Sequence, residues 1–479
     1  MSRSTLGKIT HYFPLEISFE LDCCIDGAKV YTTDSIPKRE GVSSESDSGG
    51  EGYLAVEAWA QLDAIDSWFD GNRYIRPVIL TLLSIISYLL DHPLTVYQAP
   101  FSVAESASDE KSSKIEVSRF IHNQIDKSSD LLKILEAVYL KGEDVNQFVV
   151  SALSRWHKAR YLEEESDANL YDEESFLAYF HIMELFSNYY SIQQRNEAQN
   201  QIKNFIKELL ANTLKLRDSH LEQVTQEKYK AIHSILLSDG EIPIISKICY
   251  FLDQVGLLDP KTQYFVEQLV KIRNSIAHGR YVYHKELNWP LPPFFPINLE
   301  TERYIFEIRV FTGRVIGAFL EIEAWSDTWI DIHTWLHPPT EYVKKFISNN
   351  SFEAITPTDF IKGSINGVRP SSLVEQFLSR KISFQALETG LRSLLLDAKV
   401  DEDNAFEIFE AAIILADSSD KRLSEKCQDM VADIHKNELV WYSNVKDILR
   451  ELEHQGIKPV WFRKWIETGG HRVRNEKYN

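Results

Sequence analysis

The chain has 479 residues, 44% of them hydrophobic and 26% charged, which suits a globular protein of two or three domains and excludes disordered, collagen-like and disulfide-scaffold classes. Its 52 basic and 71 acidic side chains leave a net charge of −19, so the surface as a whole repels polyanions and any nucleic-acid site has to be a local basic patch. The four cysteines, Cys23, Cys24, Cys249 and Cys427, show no C-x-x-C spacing, which argues against a disulfide framework or a zinc knuckle and for a reducing, cytoplasmic location.

Met1 to Thr10 has no apolar core of a secretion signal. The strongest apolar run, Val78 to Leu90, falls short of the roughly 20 residues that a membrane span needs, so it is expected to be a buried core helix and no membrane association is expected. Leu15 to Asp22 alternates apolar and polar residues as a half-buried strand does, Asp26-Gly27 suits a type I′ turn, and Val30 to Thr33 reads as the returning strand, a hairpin over 15–33. Gly41 to Gly52 and Ser106 to Lys114 are polar loops, and Tyr53 to Leu62 between them is either strand or helix. Together these make an N-terminal α+β domain, residues 1–143.

Beyond it the hydrophobic period lengthens to that of a helix. Asp144 with Gln147 resembles a capping box ahead of Phe148, Val149, Leu153 and Trp156. Helices are predicted over Asp172 to Ser191, over the amphipathic stripe from Ile202 to Leu214, and at Lys228–Leu237, Pro243–Val255 and Lys261–His278. The proline-rich segment Pro290 to Pro296 interrupts the pattern before a long helix from Glu300 to Trp325. Shorter helices follow at Glu341–Ile347, Ser372–Ser379 (Ser372 and Glu375 as a capping box), Phe384–Leu396, Asp403–Ala416, Glu425–His435 and Ser443–Glu453, a C-terminal all-α domain over 326–479. The expected fold is mainly α: a central helical bundle over 144–325 between the two flanking domains.

The motifs of P-loop, dinucleotide, hydrolase-elbow and zincin chemistry are all missing, and no cofactor is expected. Asp401-Glu402-Asp403-Asn404 opens like a calcium loop, but Phe406 stands where the turn requires glycine, so it reads as an acidic helix start. His181-x-x-Glu184 has di-iron spacing without a second copy, and no metal site is expected. Arg155, Lys158 and Arg160 read as a solvated helix face, Trp325, Trp329 and Trp335 as packing between domains, and the basic tail around His471, Arg472, Arg474 and Lys477 as a solvated end.

One segment stands apart, Lys271-Ile272-Arg273-Asn274-Ser275-Ile276-Ala277-His278-Gly279-Arg280-Tyr281. Phe265, Leu269, Ile272 and Ile276 make the core stripe of its helix, and Arg273, Asn274 and His278 fall off that stripe. Asn274 and His278 are one turn apart, and Gly279 suits the position after the helix end, so an imidazole, an amide and a guanidinium share the negative end of the helix dipole. Cleavage of RNA without a metal needs such groups: a base for the 2′-hydroxyl proton, an acid for the leaving 5′-oxygen and a cation for the phosphorane charge. One helix supplies one histidine; two copies facing each other supply both.

Arg273-Asn274-x-x-x-His278 resembles the R-x4-H signature of the HEPN superfamily, and the stretches ALSRWHKARYLEEE and YDEESFLAYFHIMELF, within Phe148–Glu165 and Tyr171–Phe186, resemble the opening of Apea-type HEPN domains of antiviral and abortive-infection proteins. The resemblance covers residues 144 to 325. It implies a helical bundle that dimerises through the motif helix, here 261–278, and cleaves RNA, with Arg273, Asn274 and His278 as the active-site triplet. Glu184, Arg280 and Tyr281 are candidate supporting residues; Glu184 is either a buried group paired to a cation, Arg273 being an attractive partner, or a glutamate at the edge of the apolar face. HEPN toxins controlled by AMP transfer carry tyrosine two residues after the histidine, whereas Arg280 stands there in this chain, with tyrosines at 281 and 283, so that control is not carried over. The expected function is a metal-independent antiviral or toxin-type endoribonuclease, with a trigger or partner protein on the N- or C-terminal domain. The competing class is an inert HEPN-like scaffold or regulatory subunit of a defence complex.

Overall fold

A computed structural model describes residues 6–25, 27–36, 52–61, 68–94, 101–106, 114–164, 171–236, 242–279, 299–440 and 445–470. It divides into two compact units, Met1–Leu257 with Thr301–Trp329, and Leu258–Glu300 with Ile330–Asn479. The protein is mainly helical, with a small antiparallel sheet near its N-terminus.

In the first unit, strands β1 (Leu6–Pro14), β2 (Glu20–Ile25), β3 (Ala28–Thr33), β4 (Tyr53–Gln61), β5 (Phe101–Ser106), β6 (Glu116–His122) and β7 (Ile125–Asp126) form one sheet in the order β5-β1-β4-β3-β2-β6-β7. The expected hairpin is present, its register closing at Ile25 against Ala28 with Gly27 at φ 79°, a conformation that costs glycine nothing. Its first strand begins at Glu20 rather than Leu15, although Leu15 and Phe19 are still buried ahead of it. The segment Tyr53–Gln61 is a strand, and β1 is a strand that the sequence pattern does not predict. Lying between β5 and β4, β1 buries Ile9, Thr10, His11, Tyr12 and Phe13 in succession, so both faces are covered and no alternation marks it.

Helix α1 (Trp68–Leu90) lies against β4, and α2 (Ser128–Tyr139) against β6. The predicted core run in α1 buries Ile79, Leu82, Leu83, Ile85, Ile86 and Leu89. Next come α3 (Glu143–Glu164), α4 (Asp172–Glu208, continued by a π-helical turn at Leu209–Thr213), α5 (Asp218–Leu236) and α6 (Ile244–Gln254), then α7 (Pro260–Ala277) and α8 (Leu299–Phe319). Asp144 falls inside the first turn of α3, where the Gln147 amide reaches the Glu143 carboxylate (3.1 Å), so no capping box forms there. The stripe from Ile202 to Leu214 is the end of α4 and its π-helical turn, with Ile206 and Leu210 buried but Phe205, Leu209 and Leu214 exposed.

The expected boundary at 143 does not separate compact units, whereas the one at 325 lies close to the division after Trp329. The apolar surface of α1 is satisfied by the helices after it: Tyr88 meets the edge of Trp156 on α3 at 5.5 Å and donates its hydroxyl to the Gly313 carbonyl of α8 at 2.8 Å. Sheet, α3 to α6 and α8 therefore share one unit, while α7 groups with the C-terminal helices. The tryptophans pack within units as well: Trp325 against Trp156, Trp329 against Phe311, Trp335 against Phe406.

The second unit continues with α9 (Ser326–Trp335), within which the division falls, then α10 (Thr340–Ser348), α11 (Pro357–Ile361), α12 (Pro370–Leu378), α13 (Phe384–Asp397), α14 (Ala405–Leu415), α15 (Lys421–Lys436), α16 (Val445–His454) and α17 (Val460–Glu467). Its core is built on α14, where Ile408, Ala411, Ala412, Ile413 and Leu415 are all buried. At α12 the capping residue is Arg369, not Ser372; the Ser372 hydroxyl accepts the Arg369 N–H from the third helical position (3.3 Å).

Candidate active site

Helix α7 carries the motif, and its start is strongly determined. Asp259 is the N-cap, its carboxylate accepting the Thr262 N–H at 2.9 Å, and Pro260 takes the first helical position, where a missing N–H costs nothing. The same carboxylate lies 2.6 Å from His333 Nε2. Burial alone would raise the Asp259 pKa, but the bonds from His333 and Thr262 outweigh it and hold the group below its ordinary value.

Along α7, Phe265, Val266, Leu269, Val270 and Ile272 are buried, which confirms the core stripe up to its last member; Ile276 is partly exposed. Arg273 and Asn274 are half-buried, and the Arg273 guanidinium donates from Nη1 to Asn274 Oδ1 at 3.2 Å. His278 is the C-cap and is exposed; its N–H reaches the Asn274 carbonyl at 3.2 Å. Gly279 follows at φ 60°, donating to the Ile276 carbonyl at 3.0 Å. Guanidinium, amide and imidazole thus occupy the last turn and a half of one helix. Such a set can bind a phosphate, orient it and exchange a proton with it.

The supporting residues fare differently. Glu184 sits half-buried on α4 in the first unit, with His181 Nε2 at 4.0 Å, whereas Arg273 belongs to the second unit. Arg280 and Tyr281 lie outside the described residues. Among the described residues, no group of three or more His, Cys, Asp or Glu is arranged to hold a metal, and no helix is long and apolar enough to cross a membrane.

Two ionic clusters join residues that no sequence motif connects. In the first unit, Arg309 Nη1 donates to Glu163 Oε1 at 2.9 Å, Arg160 Nε to Asp91 Oδ1 at 3.2 Å, and Tyr179 Oη to Glu163 Oε2 at 2.8 Å; Arg160 also pairs with Glu164 at 2.8 Å. Arg155 and Lys158 are solvated as expected, but Arg160 is not. Burial raises the carboxyl groups of Asp91 and Glu163 above their ordinary values, although the two arginines pull the other way. In the second unit, Arg369 Nη1 meets Glu407 Oε1 at 3.0 Å, Glu407 Oε2 accepts the Ser371 N–H at 3.1 Å, and Arg369 Nη2 donates to the Trp335 carbonyl at 2.9 Å. Lys261 caps the same end of α9 through the His333 and Thr334 carbonyls, and burial, helped by Arg369, pushes its ammonium down to about 8.

Comparison with known proteins yields no match to any family model, curated protein or solved structure.

Proposed function

We propose that the chain is an endoribonuclease of the HEPN type that acts in antiviral defence or as a toxin. The reading is carried by one local arrangement: Arg273 held by Asn274 at the end of α7, next to an exposed His278 at the cap. In the reaction, a histidine removes the proton of the RNA 2′-hydroxyl, whose oxygen attacks the adjacent phosphorus. A second histidine, protonated, gives its proton to the departing 5′-oxygen, and the arginines carry the charge of the phosphorane. The products are a 2′,3′-cyclic phosphate and a 5′-hydroxyl. One chain has one such histidine, so two copies pair isologously through α7 to complete the site.

The test is end-group analysis of RNA incubated with the purified protein, with and without EDTA. The expected result is cyclic phosphate and 5′-hydroxyl ends in both, no cleavage of DNA, and no RNA cleavage by His278→Ala or Arg273→Ala at wild-type fold content. Asn274→Ala is expected to lose less, since an amide orients but transfers no proton. Wild-type cleavage by His278→Ala, or 5′-phosphate ends, refutes the reading. The net charge of −19 favours the inert scaffold as the second reading, and a wild-type protein that cuts no RNA and arrests no cells supports it.

A further inference from the structure

Among the described residues of the second unit, Trp335 at the end of α9 and Phe406 at the start of α14 present large aromatic side chains to solvent, 56% and 48% exposed, meeting edge to face at 5.8 Å. Elsewhere in this unit large rings such as Phe346, Phe360 and Phe462 are buried. Trp335 is not a loose surface residue. The guanidinium of Arg369 lies 5.2 Å from its ring centroid and also binds its backbone carbonyl. Arg369 is in turn fixed by Glu407, a pair whose side chains are only 4% and 6% exposed. Burying such a pair costs desolvation that an apolar pair of the same volume would avoid. What the arrangement secures is a tryptophan ring held in one orientation with much of its surface in water, the preorganised aromatic anchor that dominates binding hot spots.

The charges around the rings specify the occupant. Asp331 is exposed one turn before Trp335 on α9. Glu402 and Asp403, both exposed, lie four and three residues before Phe406. The turn that carries Glu402 and Asp403 is ordered by reciprocal bonds between Asp401 and Asn404, each 3.1 Å, and by the Asn404 amide on the Lys399 carbonyl at 2.7 Å. The exposed Lys399 offsets one of these charges, and the ammonium of Lys261 is engaged by two carbonyls. An aromatic pair with exposed carboxylates next to it along α9 and at the start of α14 repels phosphate and attracts guanidinium and ammonium groups, which pair with the acids and stack on the rings.

We propose that Trp335 and Phe406 form a docking surface for a cationic, arginine- or lysine-rich peptide segment of a partner protein. It is separate from the α7 motif and does not depend on nuclease activity.

The experiment is fluorescence anisotropy of a fluorescein-labelled decapeptide of alternating arginine and leucine, titrated with the full chain, beside a serine–leucine decapeptide and a labelled oligouridylate. The cationic peptide is expected to bind, about tenfold more weakly to Trp335→Ala and about fivefold more weakly to Phe406→Ala. The double variant Glu402→Gln/Asp403→Asn should bind about threefold more weakly and lose much of the salt dependence. Phe406→Ala, an exposed position, keeps the test meaningful if Trp335→Ala disturbs the fold, which circular dichroism reports. No binding of the cationic peptide, equal binding of the uncharged one, affinities unchanged in both aromatic variants, or Trp335-dependent binding of the oligouridylate instead, each overturns the proposal.

Discussion

In the first unit two arginines, Arg160 and Arg309, meet Asp91, Glu163 and Glu164 where α1, α3 and α8 converge, and Asp91 and Glu164 reach solvent. In the second unit Arg369 meets a single carboxylate, Glu407, and both are sealed from water. The residue types are the same, but the first cluster has a surplus of negative charge and several charged partners, whereas the second is one ion pair backed by the Ser371 N–H and the Trp335 carbonyl. Redundancy makes an ion cluster tolerant and titratable; a closed pair is all or nothing, because removing one member strands the other in a low-dielectric interior.

The largest expected effect therefore falls on the closed pair. Arg369→Met leaves Glu407 buried without its guanidinium, with only the Ser371 N–H on its carboxylate, and should destabilise the second unit by about 3–5 kcal/mol, read from urea unfolding, while Arg369→Met/Glu407→Leu recovers most of it. A double variant no better than the single one would erase the contrast between the clusters. Arg309→Met should cost less, about 1–3 kcal/mol, because Glu163 keeps the Tyr179 hydroxyl and a second arginine near it.

Smaller, but diagnostic in sign, is the response to pH. The raised carboxyls of Asp91 and Glu163 bind more protons in the folded than in the unfolded state. Their contribution is greatest below the ordinary carboxylate value of about 4 and is lost as pH rises through the folded-state values. Asp259 is lowered, so its contribution is present above that ordinary value and is lost as pH falls through the folded-state one. Unfolding measured from pH 3 to 7 should then show the stability of Asp91→Asn, relative to wild type, rising with pH and that of Asp259→Asn falling with pH. Parallel slopes would mean that burial does not dominate the first cluster.

Local physics accounts for what was legible. The predicted helix 261–278 is α7 with His278 as its cap, because Pro260, an amphipathic stripe and Gly279 all act within one element. The hairpin turn at Gly27 follows from the same kind of signal. Strand β1 was hidden because burial of both faces erases the period of two that reveals a strand. Arg369 and Glu407 are 38 positions apart in the chain, yet one signal was available: Glu407 is a charged residue in the apolar run Ala405–Leu415, and a carboxylate there requires a buried cation.

For the candidate site, sequence by itself determined that Arg273, Asn274 and His278 share one helix end off the apolar face, since helical periodicity and a glycine stop depend only on neighbours in the chain. Tertiary structure alone decided that α7 groups with the C-terminal helices and Glu184 with the sheet, and that Trp335 stands exposed over a buried ion pair. Those outcomes depend on which surfaces meet across long stretches of chain. A one-dimensional pattern records only that a surface is apolar, and the packing of the whole unit selects what covers it.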